Sequence, residues 1–235
     1  MNDNLSVKKQ EKGLVWSALV LTVLGAVYLV MLILTFASGI NLEGNKAMQY
    51  LLHGVVLLTA VSFLLFADQV CAKGNKTIAA RLAVIFAALF ALLLIIGRGL
   101  AVWYISMPVP DPAFAVYNFY SSGESVSRTI ELLGWTLLYP TSILLLGFVF
   151  RGSRTPFHLP LFYLSVASAL CCYAAFGLLI APAFTLFFIA GATGWGLLFE
   201  VIVATYLVGL FRGQGAAAVI LIPSKRDDKN PRENP

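Results

Sequence analysis

Six long apolar runs constrain this fold more than any other feature of the sequence. They cover residues 14–37, 47–67, 82–104, 130–150, 159–180 and 183–211. Each is long enough to cross a bilayer as a helix, which takes about 20 residues. In hydrocarbon every backbone N–H and C=O needs a partner within the protein, so each run must be a helix or a strand of a closed barrel. The runs lack the apolar–polar alternation of barrel strands. We therefore predict an all-α, polytopic transmembrane bundle of six helices.

The composition supports a membrane protein. Hydrophobic residues make up 60% of the chain and charged residues only 11%, against about 25% charged in soluble domains. A cleaved signal peptide is the alternative for the first run, because lysines precede it. Its apolar stretch exceeds the about 7–15 residues of a signal core, so we interpret it as a helix.

Lysine and arginine are concentrated on one side of the predicted bundle, and this bias sets its orientation. Of the 16 basic residues, all but Lys46, Arg98 and Arg128 fall on one side. Because basic loops stay inside, we predict cytoplasmic termini in a multi-pass protein of the cell membrane, with the bacterial inner membrane as the expected location. Residues 1–13 form a cytoplasmic segment, residues 14–211 the six-helix domain and residues 212–235 a cytoplasmic, largely disordered tail. The residues on the basic side are Lys8, Lys9, Lys12, Lys73, Lys76, Arg81, Arg151, Arg154, Arg212, Lys225, Arg226, Lys229 and Arg232.

One predicted outer connection, residues 105–128, is much longer than the others. Loops of this length in compact bundles are usually functional or disordered. Three prolines are followed by an aromatic cluster made of Phe114, Tyr117, Phe119 and Tyr120. We favour packing at the membrane surface for this segment, with a lid over the outer mouth as the alternative.

Four ionisable residues lie within or at the edge of the spans, and such residues are functional candidates because their insertion is costly. His53, Arg98 and Glu131 are predicted at similar depth near the outer surface, so we expect them to converge, with Arg98 and Glu131 as an ion pair. Trp135 and Tyr139 would line the inner wall of this cluster. The alternative is that Arg98 extends to the headgroups and Glu131 is simply exposed.

Glu200 lies in the middle of the sixth run, too far from either end to reach water. It must be protonated or paired inside the bundle. A role in binding a solute or proton and a structural hydrogen bond between helices both remain open. Trp195, also near mid-span, is interpreted as a packing or pocket residue. The small residues Gly191, Gly194 and Gly196 are candidates for close helix packing.

A short likeness links the fourth and sixth runs. Gly-Trp-Thr-Leu-Leu-Tyr at residues 134–139 resembles Gly-Trp-Gly-Leu-Leu-Phe at residues 194–199. A duplicated packing motif is conceivable, since both helices run in the same direction. Six positions in apolar sequence are weak support, and we interpret the likeness as chance.

Several chemistries find no support in the sequence. With only His53 and His158, predicted near opposite faces, a bis-histidine haem or a histidine-built zinc site is not available. The cysteines Cys71, Cys171 and Cys172 form no CxxC motif and are interpreted as small apolar fillers. We expect no metal or cofactor, no ATP-binding motif and no nucleic-acid partner.

Three functions are compatible with these features. The leading one is non-enzymatic binding or transport of a small solute, lipid or proton through a polar cavity facing the outer leaflet. The second is an accessory subunit that docks a membrane-protein partner, or a second copy, through the small residues of the last helix. The third is an intramembrane enzyme acting on a lipid or isoprenoid, which needs a cavity large enough for an acyl chain. Membrane lipids are the expected surroundings in all three.

Overall fold

The computed structural model of the protein describes residues 2–38, 45–73, 77–109, 111–120, 124–152, 157–180 and 184–211. These residues form helices and short connections, with no β-strand among them. The predicted disordered tail, residues 212–235, lies outside the described residues.

Eight α-helices, one 3₁₀ turn and two π-helical turns make up this part of the chain. The π-helical turns, named π1 and π2, interrupt the fourth and sixth spans. In chain order the elements are α1 (Asn2–Ser38), α2 (Lys46–Lys73), α3 (Ile78–Ile105), the 3₁₀ turn (Pro112–Tyr117), α4 (Val126–Leu133), π1 (Gly134–Leu138), α5 (Tyr139–Arg151), α6 (His158–Ile180), α7 (Phe184–Gly191), π2 (Ala192–Leu198) and α8 (Phe199–Phe211).

The prediction of six membrane-spanning helices is confirmed. Six helical stretches in the described part of the chain are long and apolar enough to cross a bilayer, with α4, π1 and α5 forming the fourth and α7, π2 and α8 the sixth. The predicted boundaries differ most at α1, which begins at Asn2 rather than at residue 14. Lysine, glutamate and glutamine are good helix formers, so the helix continues into the polar N-terminal segment. The cytoplasmic location of the termini stays a prediction.

The six spans form a closed ring in chain order. α1 packs against α2, α2 against α3, α3 against α5, and α5 against α6. The sixth span then packs against α6, and its α8 portion returns to α1. The first and last spans are therefore neighbours.

Aromatic side chains fill the centre of this ring. Phe63 of α2 lies within 6 Å, between ring centroids, of Phe90, Tyr139 and Phe199. Large apolar side chains such as Leu58, Leu65 and Leu89 point outward and are exposed, as lipid-facing residues must be. The core and the outer surface are thus both apolar, which is typical of a helix bundle in hydrocarbon.

The two π-helical turns occupy the two copies of the short sequence likeness. In π1, the N–H of Tyr139 donates to the carbonyl oxygen of Gly134, five residues earlier. Trp135 contacts Trp195, with ring centroids 5.9 Å apart, and Tyr139 contacts Phe199 at 5.5 Å. Equivalent residues therefore share a rare conformation and pack pairwise, which favours the duplicated packing motif over chance.

Candidate functional site

An ion pair between Arg98 and Glu131 forms the centre of a buried polar cluster. Nη2 of Arg98 donates to Oε1 of Glu131 at 2.6 Å, and Nε of Arg98 contacts Oε2. The guanidinium thus meets the carboxylate with two nitrogens, the geometry that gives strong charge-assisted bonds. Both residues are buried, Arg98 2% and Glu131 4% exposed. The pair therefore lies inside the protein, and Arg98 does not extend to the headgroups.

His53 joins the cluster from α2. Nη1 of Arg98 lies 3.0 Å from Nδ1 of His53. Arginine can only donate hydrogen bonds, so Nδ1 accepts and the proton of the neutral ring sits on Nε2. His53 is 1% exposed, and Nε2 has no hydrogen-bond partner. The three polar residues expected to converge do lie together.

Local sequence explains how α3 and α4 approach closely enough for this contact. A Cβ added at Gly97 would lie 2.9 Å from the carbonyl oxygen of Ser127, so only glycine lets α4 pass beside Arg98. Ser125 begins α4 by accepting from the N–H of Arg128 at 3.2 Å, as helix N-cap serines do. Ser127 ties α4 to the preceding connection by donating to the carbonyl oxygen of Tyr117 at 3.0 Å.

The long connection before α4 divides into two parts. In the first part, Phe114 and Tyr117 pack against Trp103 with ring centroids 5.4 and 6.0 Å away. This packing against α3 is compatible with the location at the membrane surface that the sequence favours, which stays a prediction. Its 3₁₀ turn is started by Asp111, whose carboxylate accepts from the N–H of Ala113 at 2.9 Å.

The second part covers the polar cluster. The ring of Phe119 lies 3.9 Å from the guanidinium carbon of Arg98, a cation–π contact. The hydroxyl oxygen of Tyr120 accepts from Nη1 of Arg98 at 3.2 Å. An Asx turn positions this residue, since Oδ1 of Asn118 accepts from the N–H of Tyr120 at 3.2 Å. Burial raises the pKa of Tyr120, while the positive charge and hydrogen bond of Arg98 oppose the rise.

The outer mouth predicted around this cluster is therefore filled by the protein's own side chains. Phe119 and Tyr120 occupy the space in which a solute was expected. The sequence contained the aromatic cluster but no signal for which of its rings would turn inward.

Trp135 connects the polar cluster to a cavity deeper in the bundle. Its Nε1 donates to Oε1 of Glu131 at 3.3 Å, while its indole ring lines the cavity. Tyr139, one turn further along, lies beside Trp135 with ring centroids 5.5 Å apart, as expected. It is fully buried, and its hydroxyl oxygen lies 3.2 Å from that of Ser168.

The cavity has a volume of about 20 Å³, which suffices for about one water molecule. It lies between α1, α2 and the two π-helical turns. The lining residues are Gly25, Tyr28, Leu29, Val56, Thr59, Trp135, Trp195, Gly196, Phe199 and Glu200. Glu200 and Trp195 thus both line this cavity, and His53, Arg98 and Glu131 are not among its lining residues.

Glu200 is half-buried, and its carboxylate lies against the backbone of α1. A Cβ added at Gly25 would collide with both carboxylate oxygens. Within the described part of the chain, no hydrogen bond or ion pair reaches Glu200. This part of the chain therefore provides no partner with which Glu200 could form a structural hydrogen bond between helices.

The small residues of the last span pack inside the bundle. A Cβ at Gly194 would lie 2.6 Å from Sγ of Cys172 and 2.9 Å from the carbonyl oxygen of Ser168. A Cβ at Gly191 would meet the ring of Trp195, and one at Gly196 would lie 3.4 Å from Leu29. These glycines contact the chain's own helices, so they do not form the outward-facing stripe that partner docking requires.

The described residues contain no cluster of three or more His, Cys, Asp or Glu side chains that could hold a metal ion. Cys71 and Cys172 are buried, Cys171 is partly buried, and all three are free thiols. Cys172 fills space beside Gly194, consistent with a packing role.

Two residues that line the cavity, Tyr28 and Thr59, were not singled out from the sequence. Both lie in apolar runs without any periodic polar signal. Only the packing of α1 and α2 against the sixth span brings them to Glu200.

Comparison with known proteins gives no match: no protein-family model fits the sequence, and no curated protein or solved structure is significantly similar to it. Function is therefore argued from the site alone.

Proposed function

We propose that this multi-pass membrane protein binds, and passes through the bundle, a small solute or a proton at the cavity beside Glu200, without enzymatic chemistry. The observation that carries the proposal is a carboxylate within a membrane span that lines a cavity and has no hydrogen-bond or ion-pair partner in the described part of the chain. Such a group is costly in hydrocarbon, so its presence favours a functional partner.

The polar cluster supports the same proposal as a closure above the cavity. Trp135 lies between the Arg98–Glu131 pair and the cavity, since its Nε1 donates to Glu131 at 3.3 Å and its ring lines the cavity beside Glu200. With the predicted cytoplasmic termini, this closure faces the outside.

The cavity volume disfavours the enzymatic alternative. A space for about one water molecule does not accommodate an acyl or isoprenoid chain. The docking alternative is disfavoured by the inward-facing glycines of the last span.

The test compares the wild type with Glu200→Gln, which keeps the side-chain shape and removes the charge. Glu124→Gln, an exposed change outside the spans, is the matched control for net charge. The titratable side chain that interacts electrostatically with Glu200 is Tyr139 from α5. Tyr28 from α1 lines the same cavity but interacts with Arg98, Glu131 and Tyr120, and α2 contributes the uncharged Thr59.

The wild type and Glu124→Gln should behave alike. If the ligand is a solute, we expect it to raise the thermal stability of both proteins. If it is a proton, we expect pH-dependent stability and proton flux into liposomes. These responses should be lost in Glu200→Gln while circular dichroism shows unchanged helix content. Wild-type behaviour of Glu200→Gln in every assay would contradict the proposal.

A further inference from the structure

We infer that the natural occupant of the cavity beside Glu200 is a free ammonium ion. This inference rests on the proposed function and names the class of its ligand.

The first step concerns charge. Among the cavity-lining residues, Glu200 is the only one that carries a formal charge, and none is a lysine, arginine or histidine. The nearest buried cation, Arg98, is neutralised by Glu131 on the far side of Trp135. Among the described residues no cation lies beside Glu200, so an ionised Glu200 is left to bind a small cation in the cavity.

The second step concerns the walls. Four aromatic rings line the cavity: Tyr28, Trp135, Trp195 and Phe199. Aromatic faces, tryptophan above all, attract cations, and the attraction strengthens where water is excluded. The two indole planes are tilted by 41°, so they form two walls of a box rather than one stack.

The third step concerns size and bonding. The cavity holds about one particle of water size, which matches ammonium. Mg²⁺ and Ca²⁺ need six or more oxygen ligands, and K⁺ is bound by rings of carbonyl oxygens. Here the oxygens come from the carboxylate of Glu200 and the hydroxyl of Thr59, since Tyr28 lines the cavity while its phenol interacts with Arg98, Glu131 and Tyr120.

These groups suit the N–H donors of ammonium. The hydroxyl of Thr59 donates to the carbonyl oxygen of Val55 at 2.8 Å, so its lone pairs remain as acceptors. Ammonium can donate to the carboxylate and to a hydroxyl oxygen while its other N–H groups face the aromatic rings. A bare metal ion would leave most of its coordination positions without oxygen.

The experiment uses the full-length protein in a Trp16→Phe/Trp103→Phe background. Of the four tryptophans in the chain, this leaves Trp135 and Trp195 as the only emitters, and both line the cavity. Fluorescence and thermal unfolding are followed against NH₄Cl at fixed pH and constant ionic strength. NaCl and KCl are the control salts, and tetramethylammonium chloride is the control for size.

We expect a saturable change in emission and a rise in Tm with NH₄⁺, with responses to Na⁺, K⁺ and tetramethylammonium at least about tenfold weaker. Glu200→Gln should lower the ammonium affinity by at least about tenfold, equivalent to about 1.4 kcal/mol. The control Glu124→Gln should match the background protein.

Two outcomes separate failure of this inference from failure of the proposed function. The ammonium assignment would be overturned, and the proposed function would stand, in any of three cases. The protein responds equally to NH₄⁺, K⁺ and Na⁺, it responds equally to tetramethylammonium, or it responds to pH alone in a way that depends on Glu200. The ammonium assignment and the proposed function are both overturned if neither pH nor any salt changes the signal of the background protein and Glu200→Gln gives the same result.

Discussion

Trp135 and Trp195 lie with their ring centroids 5.9 Å apart, each within a π-helical turn of its own span. Such turns are rare and are frequent at functional sites. Here they bring two indoles from the fourth and sixth spans to one cavity, next to the carboxylate of Glu200. The widened turns thus line the proposed binding cavity.

The first prediction concerns this indole pair. Two tilted indoles this close should couple electronically and give an exciton couplet in circular dichroism. Trp135→Phe and Trp195→Phe should each abolish the couplet, and the double variant should lose no more. Trp16→Phe, at a ring that is 64% exposed, should retain it. A couplet that survives either cavity substitution would contradict the packing of the two turns.

The second prediction concerns the Arg98–Glu131 ion pair. Glu131→Gln leaves a buried guanidinium without its counter-charge, so we expect a loss of about 3–5 kcal/mol in the free energy of unfolding. Arg98→Leu/Glu131→Leu removes both charges and should recover much of this loss. Denaturant titration in mixed micelles measures both. If Glu131→Gln unfolds like the wild type, the pair is not buried as described.

The third prediction separates the two parts of the long connection. Phe119 covers the guanidinium of Arg98, whereas Phe114 packs on Trp103. Phe119→Ala should cost about 2 kcal/mol, the value of a desolvated cation–π contact. It should also make stability depend on salt, because water then reaches the ion pair and screening begins. Phe114→Ala should leave stability independent of salt, and an equal salt response in both variants would contradict the covering role.

The fourth prediction tests the close contact between the fifth and sixth spans. Gly194→Ala would place a Cβ 2.6 Å from Sγ of Cys172, so we expect destabilisation of about 1–3 kcal/mol. Gly177→Ala is the matched control, because a Cβ there has no atom within 4 Å. That change should stabilise the helix by about 0.5–1 kcal/mol. Opposite signs for the two variants are the expected result, and equal signs would argue against the contact.

The fifth prediction concerns pH. Burial raises the pKa of Tyr120 above its ordinary value of 10.0, so the folded protein holds this phenolic proton more tightly than the unfolded chain. The resulting stabilisation is complete below pH 10 and is lost as pH rises through the folded-state pKa. Tyr120→Phe removes this contribution, so its stability should fall less steeply above pH 10 than that of the wild type. Parallel curves would contradict the burial of this phenol.

The six spans could be predicted because hydrocarbon permits few backbone conformations, and the apolar runs record that restriction directly. The convergence of His53, Arg98 and Glu131 could be predicted from their depth alone. Charged or polar groups at one depth of a small bundle avoid hydrocarbon by meeting inside it. The partner of Arg98 could be named because only one carboxylate lies at that depth.

The sequence did not predict which aromatic residues of the long connection cover the ion pair, nor which residues line the cavity at Glu200. Which loop aromatic turns inward depends on an Asx turn at Asn118, a local geometry with no periodic signal. The π-helical turns have no propensity signature either, so the likeness between residues 134–139 and 194–199 could not be read as a conformation. Tyr28 and Thr59 became cavity residues only through the packing of three spans.

The contact between Gly25 and Glu200 joins the first membrane helix to the last one. During synthesis Gly25 enters the bilayer early, whereas Glu200 leaves the ribosome only after five other helices have been made. A polypeptide that stops before α8 would therefore leave the groove beside Gly25 without the carboxylate that fills it. The proposed binding cavity is complete only when the sixth span has packed against the first.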